Sequence, residues 1–159
     1  MTMAAAGPRA APVCHLPAPA GTLHLRLAND IGAVAAALPD LQAFAQAQQL
    51  PARVANRLEV VFEELVSNPI RHGFRPGSDQ VLHVQLMRGA QALRLVIEDD
   101  GIAFDPLARA APAPLADLDS APEGGLGIAL VRKLASHVAR EAPQLPGMVN
   151  RLVVELPLA

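Results

Sequence analysis

At 159 residues with 52% hydrophobic content, the chain suits one compact domain burying roughly 70% of the surface its unfolded form exposes. Four Phe with no Trp or Tyr imply an aliphatic core and no aromatic platform for single-stranded nucleic acid, and a formal charge of −2 argues against direct DNA binding. The single cysteine, Cys14, cannot form an internal disulfide, and no apolar run reaches the roughly 18 residues of a membrane helix, so a reducing cytoplasm is expected.

The opening MTMAAAGPRAAPVCHLPAPA has too little positive charge and too many prolines for a secretory signal. Residues 1–21 are expected to be a disordered or loosely docked tail in which Cys14 and His15 have no role, followed by a single domain over 22–159. TLHLRL alternates Leu23, Leu25 and Leu27 against His24 and Arg26, the period-two pattern of a half-buried strand. Asn29 or Asp30 can cap a helix carrying Ile31, Val34, Leu38, Leu41 and Ala45, which Pro39 is expected to split in two. After Leu50-Pro51, the residues Val54, Leu58, Val61, Phe62, Leu65 and Val66 form the apolar stripe of a second helix. VLHVQLM and LRLVIED read as an antiparallel hairpin around Gly89, and RLVVEL as another strand. Between Asp105 and Gly124 the chain is rich in Ala and Pro and sustains no period, which predicts a long loop. EGGLG then opens a helix striped by Ile128, Val131, Ala135 and Val138.

Three stretches carry chemistry. In EELVSNPIRHG, Glu64, Asn68 and His72 recur every four residues, but Pro69 removes the amide that would bond the Leu65 carbonyl and is expected to push Asn68 out of helical dihedrals. Asn68 offers the hard neutral oxygen that Mg²⁺ accepts, and Glu64, one turn earlier, can orient or deprotonate a hydroxyl. A helix break after Asn68 would aim that residue outward toward a pocket. In IEDDGIAFDP, Asp99 can accept a hydrogen bond from an adenine amino group while Gly101 and Ala103 let a flat base approach. In EGGLG, Gly124, Gly125 and Gly127 can present amides and a helix N-terminus to phosphate. Taken singly, each stretch also has a plain reading: Asn-Pro as a helix start, Asp-Gly as a hairpin turn, a glycine pair as a loop end. His24, His83 and His137 lack metal-ligand spacing, and Arg132 and Lys133 read as a solvated helix face.

Together and in this order, EELVSNPIRHG, IEDDGIAFDP and GGLGIALVRKLAS resemble the three ATP-binding boxes of the GHKL superfamily, from about Thr22 to Leu156. More narrowly the chain is similar to the small bacterial anti-sigma factors that are also serine-protein kinases. That resemblance implies an α/β (α+β) fold: a two-layer α/β sandwich whose mixed, mostly antiparallel sheet carries helices on one face. It implies ATP or ADP with Mg²⁺ as ligands. Glu64 takes the place of the general base and Asn68 of the magnesium ligand; Asp99, Gly101 and Ala103 fall at the adenine site, Gly125, Leu126 and Gly127 at the phosphates, and residues 105–124 at the ATP lid. The implied partners are a STAS-domain anti-sigma-factor antagonist, with a sigma factor or phosphatase as further candidates, no direct nucleic acid, no membrane, and a homodimer left open. The histidine-kinase branch is not expected, because no dimerisation helix pair precedes Thr22. Two positions depart from the family pattern: Pro69 replaces a small or aliphatic residue, and MVNRL stands where a glycine-threonine signature often precedes the last strand. Two functions follow, a serine/threonine-protein kinase with anti-sigma activity, or a nucleotide-gated module that sequesters a sigma factor or another regulator without phosphoryl transfer.

Overall fold

The structure, a computed structural model of the chain, describes residues 11–108 and 125–159. Among these residues six strands form one open sheet: β1 Val13–His15, β2 Thr22–Ala28, β3 Val81–Arg88, β4 Ala92–Asp99, β5 His137–Glu141 and β6 Asn150–Pro157, in the spatial order β1-β2-β3-β4-β6-β5. Three helices, α1 Gly32–Ala47, α2 Ala52–Asn68 and α3 Gly125–Leu134, pack on one face. The expected two-layer sandwich is present, with every described strand pairing antiparallel rather than mixed.

Alternation decides which residues face the helices. Leu25 and Leu27 of β2, Leu82 and Leu86 of β3, Leu93 and Leu95 of β4 and Val154 and Leu156 of β6 point into the core, where they meet Leu58, Phe62 and Leu65 of α2 and Val131 of α3. The opposite face mixes buried Val96 and Val153 with polar residues. Arg26, His83, Glu98, Arg151 and Glu141 are register partners in succession across β2, β3, β4, β6 and β5, so one row of charged and polar residues crosses the sheet. In that row Arg151 lies between two carboxylates, its Nε 3.1 Å from Glu141 and its Nη1 3.5 Å from Glu98. No helix of the described residues is long and apolar enough to cross a membrane.

Three elements differ from the sequence expectations. α1 is one helix running through Pro39, not two pieces; Ala35 and Pro39 both lie on its exposed side, where water can bond the Ala35 carbonyl that the proline leaves unpaired. Val13–His15, inside the segment expected to be a tail, pairs with β2 as an edge strand, and His15 Nε2 bonds Asp40 of α1 at 2.7 Å. Finally, α3 stops at Leu134 and Val138 belongs to β5. Ser136 ends the helical run by turning both its amide (2.9 Å) and its hydroxyl (3.2 Å) to the Glu155 carbonyl of β6.

Candidate functional site

Glu64 and Asn68 stand one turn apart at the C-terminal end of α2, both half-buried. Asn68 keeps helical dihedrals (φ −57°, ψ −56°), as does Pro69 (φ −58°, ψ −40°). The expected break is therefore absent. Instead α2 widens into a single π-turn, Pro69–Gly73, closed by the Phe74 amide donating to the Pro69 carbonyl at 2.8 Å. The wider turn accommodates the pyrrolidine ring and the lost Leu65 bond without displacing Asn68, and single π-turns of this kind recur at functional positions. His72 is exposed on the turn.

β4 delivers Asp99 to the same end of the sheet. Its carboxyl is buried, and Oδ1 accepts both the Gly101 amide and Asn150 Nδ2, each at 2.9 Å. Burial holds the carboxyl above its ordinary range; the bonds from Asn150 and Gly101 pull it back, and the nearby charge of Asp100 adds to the rise. Asp100 itself serves the fold, accepting the Val81 amide at 2.8 Å and so tying the end of β4 to the start of β3. Gly101 is required by close approach. A Cβ there would lie 2.9 Å from Asp99 Oδ1, 3.0 Å from the Gly73 carbonyl oxygen and 3.1 Å from Phe74 Cδ1. Because the Ile102 amide also donates to the Gly73 carbonyl at 3.1 Å, the π-turn and the loop after β4 are fastened to each other.

The third stretch comes from α3. Gly125 and Leu126 begin the helix, and Gly127 lies within its first turn rather than in a preceding loop. Gly127 is buried against α2: a Cβ would overlap the Glu64 carboxylate and stand 3.0 Å from Glu64 Cδ. The glycine thus lets the Glu64 side chain reach the first turn of α3. Arg132, farther along α3, donates to the Leu107 carbonyl at 2.9 Å instead of facing only solvent. Of the lid expected over 105–124, residues 105–108 are described: Asp105 Oδ1 accepts the Leu107 amide at 2.9 Å, and Pro106–Ala108 form a short 3-10 turn. The remainder, with Gly124, lies outside the described residues.

Around Asp99, Ile102 (62% exposed), Phe104 (44%) and Val149 (40%) form an apolar rim with exposed Ala103. Residues 27–153, which include every element of this site, match the model of the histidine kinase-like ATPase domain. The chain belongs to this family. It is 33% identical over 81 residues to serine/threonine-protein kinase BtrW of Bordetella bronchiseptica, a match covering 51% of this chain and 57% of that protein. It is 29% identical over 113 residues to blue-light-activated histidine kinase 2 of Erythrobacter litoralis, covering 69% of this chain and 30% of that one. The chain therefore spans little more than half of the first relative and under a third of the second.

Membership in an ATPase-domain family makes this a nucleotide-binding fold, and the geometry suits the ligand. The carboxylate of Asp99, the amide oxygen of Asn68 and the N-terminus of α3 are the group types a nucleotide's base, metal and phosphates ask for. Among the described residues no three His, Cys, Asp or Glu side chains gather as metal ligands. A divalent ion at Asn68 would accordingly take most of its ligands from phosphate and water, the habit of Mg²⁺. Asn150 is the site residue that motif reading did not single out. Its role depends on a contact across 51 positions of sequence, and its one visible trace was the departure at MVNRL.

Proposed function

We propose that the chain is an ATP- and Mg²⁺-dependent serine/threonine-protein kinase, acting in the cytoplasm as an anti-sigma regulator on a STAS-type antagonist. The observation that carries this reading is the meeting of Glu64 with Gly127, which sets a carboxylate against the first turn of α3 while Asn68 stands one helical turn away. In this reading the amides of that first turn receive the phosphates, helped by the positive end of the helix. Asn68 holds the magnesium through its amide oxygen, and the ion neutralises phosphate charge. Glu64 orients the incoming hydroxyl and takes its proton, since phosphoryl transfer asks the protein mainly for positioning and charge stabilisation. Asp99 accepts the adenine amino group, and the base lies over Gly101 beside Ala103. The relative named a serine/threonine-protein kinase supports the class of acceptor. The uninterrupted helical turn from Glu64 to Asn68, kept despite Pro69, supports this reading.

The test is transfer of label from γ-labelled ATP to a STAS-domain protein encoded near this gene. Wild type should label it on a serine or threonine, Glu64→Ala should abolish labelling with nearly unchanged nucleotide affinity, and Asn68→Ala should lose magnesium-dependent binding as well. A wild type that holds ATP and binds the partner without ever labelling it would leave only the nucleotide-gated module.

A further inference from the structure

One turn below the contact of Glu64 with Gly127, the seam between α2 and α3 leaves two large apolar side chains in the open: Val60 is 39% and Leu130 38% exposed. Gly127 meets Glu64 at the C-terminal end of α2, beside the Asp99 end of the sheet, and α3 then runs back toward the far end of β6, where the Ser136 amide bonds the Glu155 carbonyl. The two helices are therefore antiparallel, and a step back from Glu64 keeps level with a step on from Gly127. Val60 stands four residues before Glu64 and Leu130 three after Gly127, so each shares the side of its helix that faces the seam. The next residue of each helix, Val61 and Val131, is fully buried at 0% exposure. Val60 and Leu130 are thus the outer shoulders of a seam whose floor is closed.

The seam is also graded in charge. On α2 the residues Arg53, Arg57, Val60 and Glu64 follow one another at spacings of four, three and four, a single stripe of the helix. On α3 Lys133 is exposed three residues beyond Leu130. Away from the site, both helices pass from the contact of Glu64 with Gly127 through an apolar residue to a cation. The other acids of α2 lie on a different side: Glu59 accepts Nε2 of Gln42 in α1 at 3.1 Å, and Glu63, four residues on, shares that side. Arg53 Nη2 is engaged by the Leu158 carbonyl at 3.4 Å, so Arg57 and Lys133 are the cations the seam offers.

We infer that this seam is the docking surface for the protein that carries the acceptor hydroxyl. The inference rests on the kinase reading and adds to it the place where the acceptor binds and the chemistry it presents. A hydroxyl delivered to Glu64 brings its own chain onto the surface beside that residue, and the stripe continuing from Glu64 is apolar first and basic next. The matching order in the partner is a serine or threonine, an apolar side chain about 5 Å away and a carboxylate about 10 Å away, one and two helical pitches along the seam. The apolar contact holds the complex, while the charge pairs speed its approach and fix the direction in which the partner lies. A second copy of the chain seated here by two-fold symmetry would close off Glu64 in both copies, which sets it against the activity.

The probe is the STAS-domain protein encoded near this gene. Its binding to the full chain with ADP-Mg²⁺ is measured by calorimetry, and its labelling from γ-labelled ATP gives the acceptor KM and kcat. One variant joins Val60→Gln with Leu130→Gln, the other Arg57→Glu with Lys133→Glu. The apolar variant should weaken acceptor binding and raise the acceptor KM by about tenfold or more, with kcat, nucleotide affinity and Tm close to wild type. The charge variant should weaken binding about tenfold at low salt and flatten its decline between about 0.05 and about 0.5 M salt. Should the apolar variant not fold, the charge variant decides alone through its salt profile. Acceptor affinity and salt dependence unchanged in both variants would overturn the assignment, as would equal losses of nucleotide and acceptor binding. So would an apolar variant that turns a dimer into a monomer in sedimentation, since the seam would then belong to a second copy. Labelling by wild type that both variants sustain unaltered removes the seam and leaves the kinase reading standing. Binding without labelling, weakened by the variants, removes the kinase reading and keeps the seam as the partner surface. A wild type that neither binds nor labels this protein removes both.

Discussion

Gly127→Ala sets two opposing effects against each other at the contact between α2 and α3. Inside a helix, Ala is favoured over Gly by about 1 kcal/mol. At this position, however, the added Cβ overlaps the Glu64 carboxylate and approaches Glu64 Cδ to 3.0 Å. The obstructing atoms are the far end of a flexible side chain, so the clash is relieved by pushing Glu64 off its rotamer, which costs about 0.5–1.5 kcal/mol. The two terms nearly cancel. Net stability should stay within about 1 kcal/mol of wild type, a change in Tm of no more than about 2–4 °C. Activity should not be spared, because displacing a positioned group by about 1 Å can cost about a hundredfold in rate. A double-mutant cycle over Gly127→Ala and Glu64→Ala separates the terms, read by thermal unfolding and by release of phosphate from labelled ATP. In the Glu64→Ala background the Gly127 substitution should raise Tm by about 2–4 °C, the unopposed helix gain, and should slow turnover no further. Additive Tm changes, or a Gly127→Ala single variant with wild-type turnover, would show that Glu64 does not depend on the glycine and that the assignment of the pair is wrong.

Arg151→Met removes the cation from a row in which Glu98 is 2% and Arg151 5% exposed, leaving Glu98 with backbone amides alone. Urea unfolding should show a loss of about 3 kcal/mol, against no more than about 0.5 kcal/mol if the pair behaves as a surface one. On the same outer face His24 Nε2 and His83 Nδ1 are 3.0 Å apart, and burial lowers both from the ordinary 6.5, with His24 and Arg26 adding to the lowering at His83 and Glu98 opposing it at both. Their folded values lie below the unfolded one, so this contribution is complete above pH 6.5 and is lost as the pH falls through the lowered folded values. His83→Gln should therefore flatten the acid-side decline of Tm; a decline as steep as that of wild type would count against it.

Much of the scaffold was legible because its pattern is local. β2 and β3 alternate, β4 and β6 carry the short apolar runs Leu95–Ile97 and Leu152–Val154, and the stripe of α2 from Val54 to Val66 is the buried face observed. β5 was hidden because Ile128, Val131, Ala135 and Val138 keep helical spacing through a helix and then a strand, and only the bonds of Ser136 to Glu155 reveal where one stops. β1 was hidden among prolines, its pairing supplied by β2. The site divided in the same way. Glu64, Asn68, Asp99 and Gly101 stand in recognisable stretches, but the contact of Gly127 with Glu64 joins two helices, and the bonds of Asn150 join strands distant in sequence. Pro69 was misread for a related reason: local rules describe the amide a proline removes, not the π-turn through which the chain accommodates it.

In the proposed function ATP with Mg²⁺ binds between Asp99, Asn68 and the first turn of α3. Thermal unfolding with and without ATP-Mg²⁺, on wild type and Asp99→Asn, tests it most directly, because Asn keeps the shape of Asp99 and an oxygen for Gly101 and Asn150 while removing the charge. At a nucleotide concentration about a hundred times Kd, linkage contributes about 2.7 kcal/mol, which should raise the wild-type Tm by roughly 5–10 °C. Asp99→Asn should fold as well as wild type and show little of that rise. An unmoved wild-type Tm at saturating ATP-Mg²⁺, or an Asp99→Asn variant stabilised as much as wild type, would contradict the placement of the nucleotide.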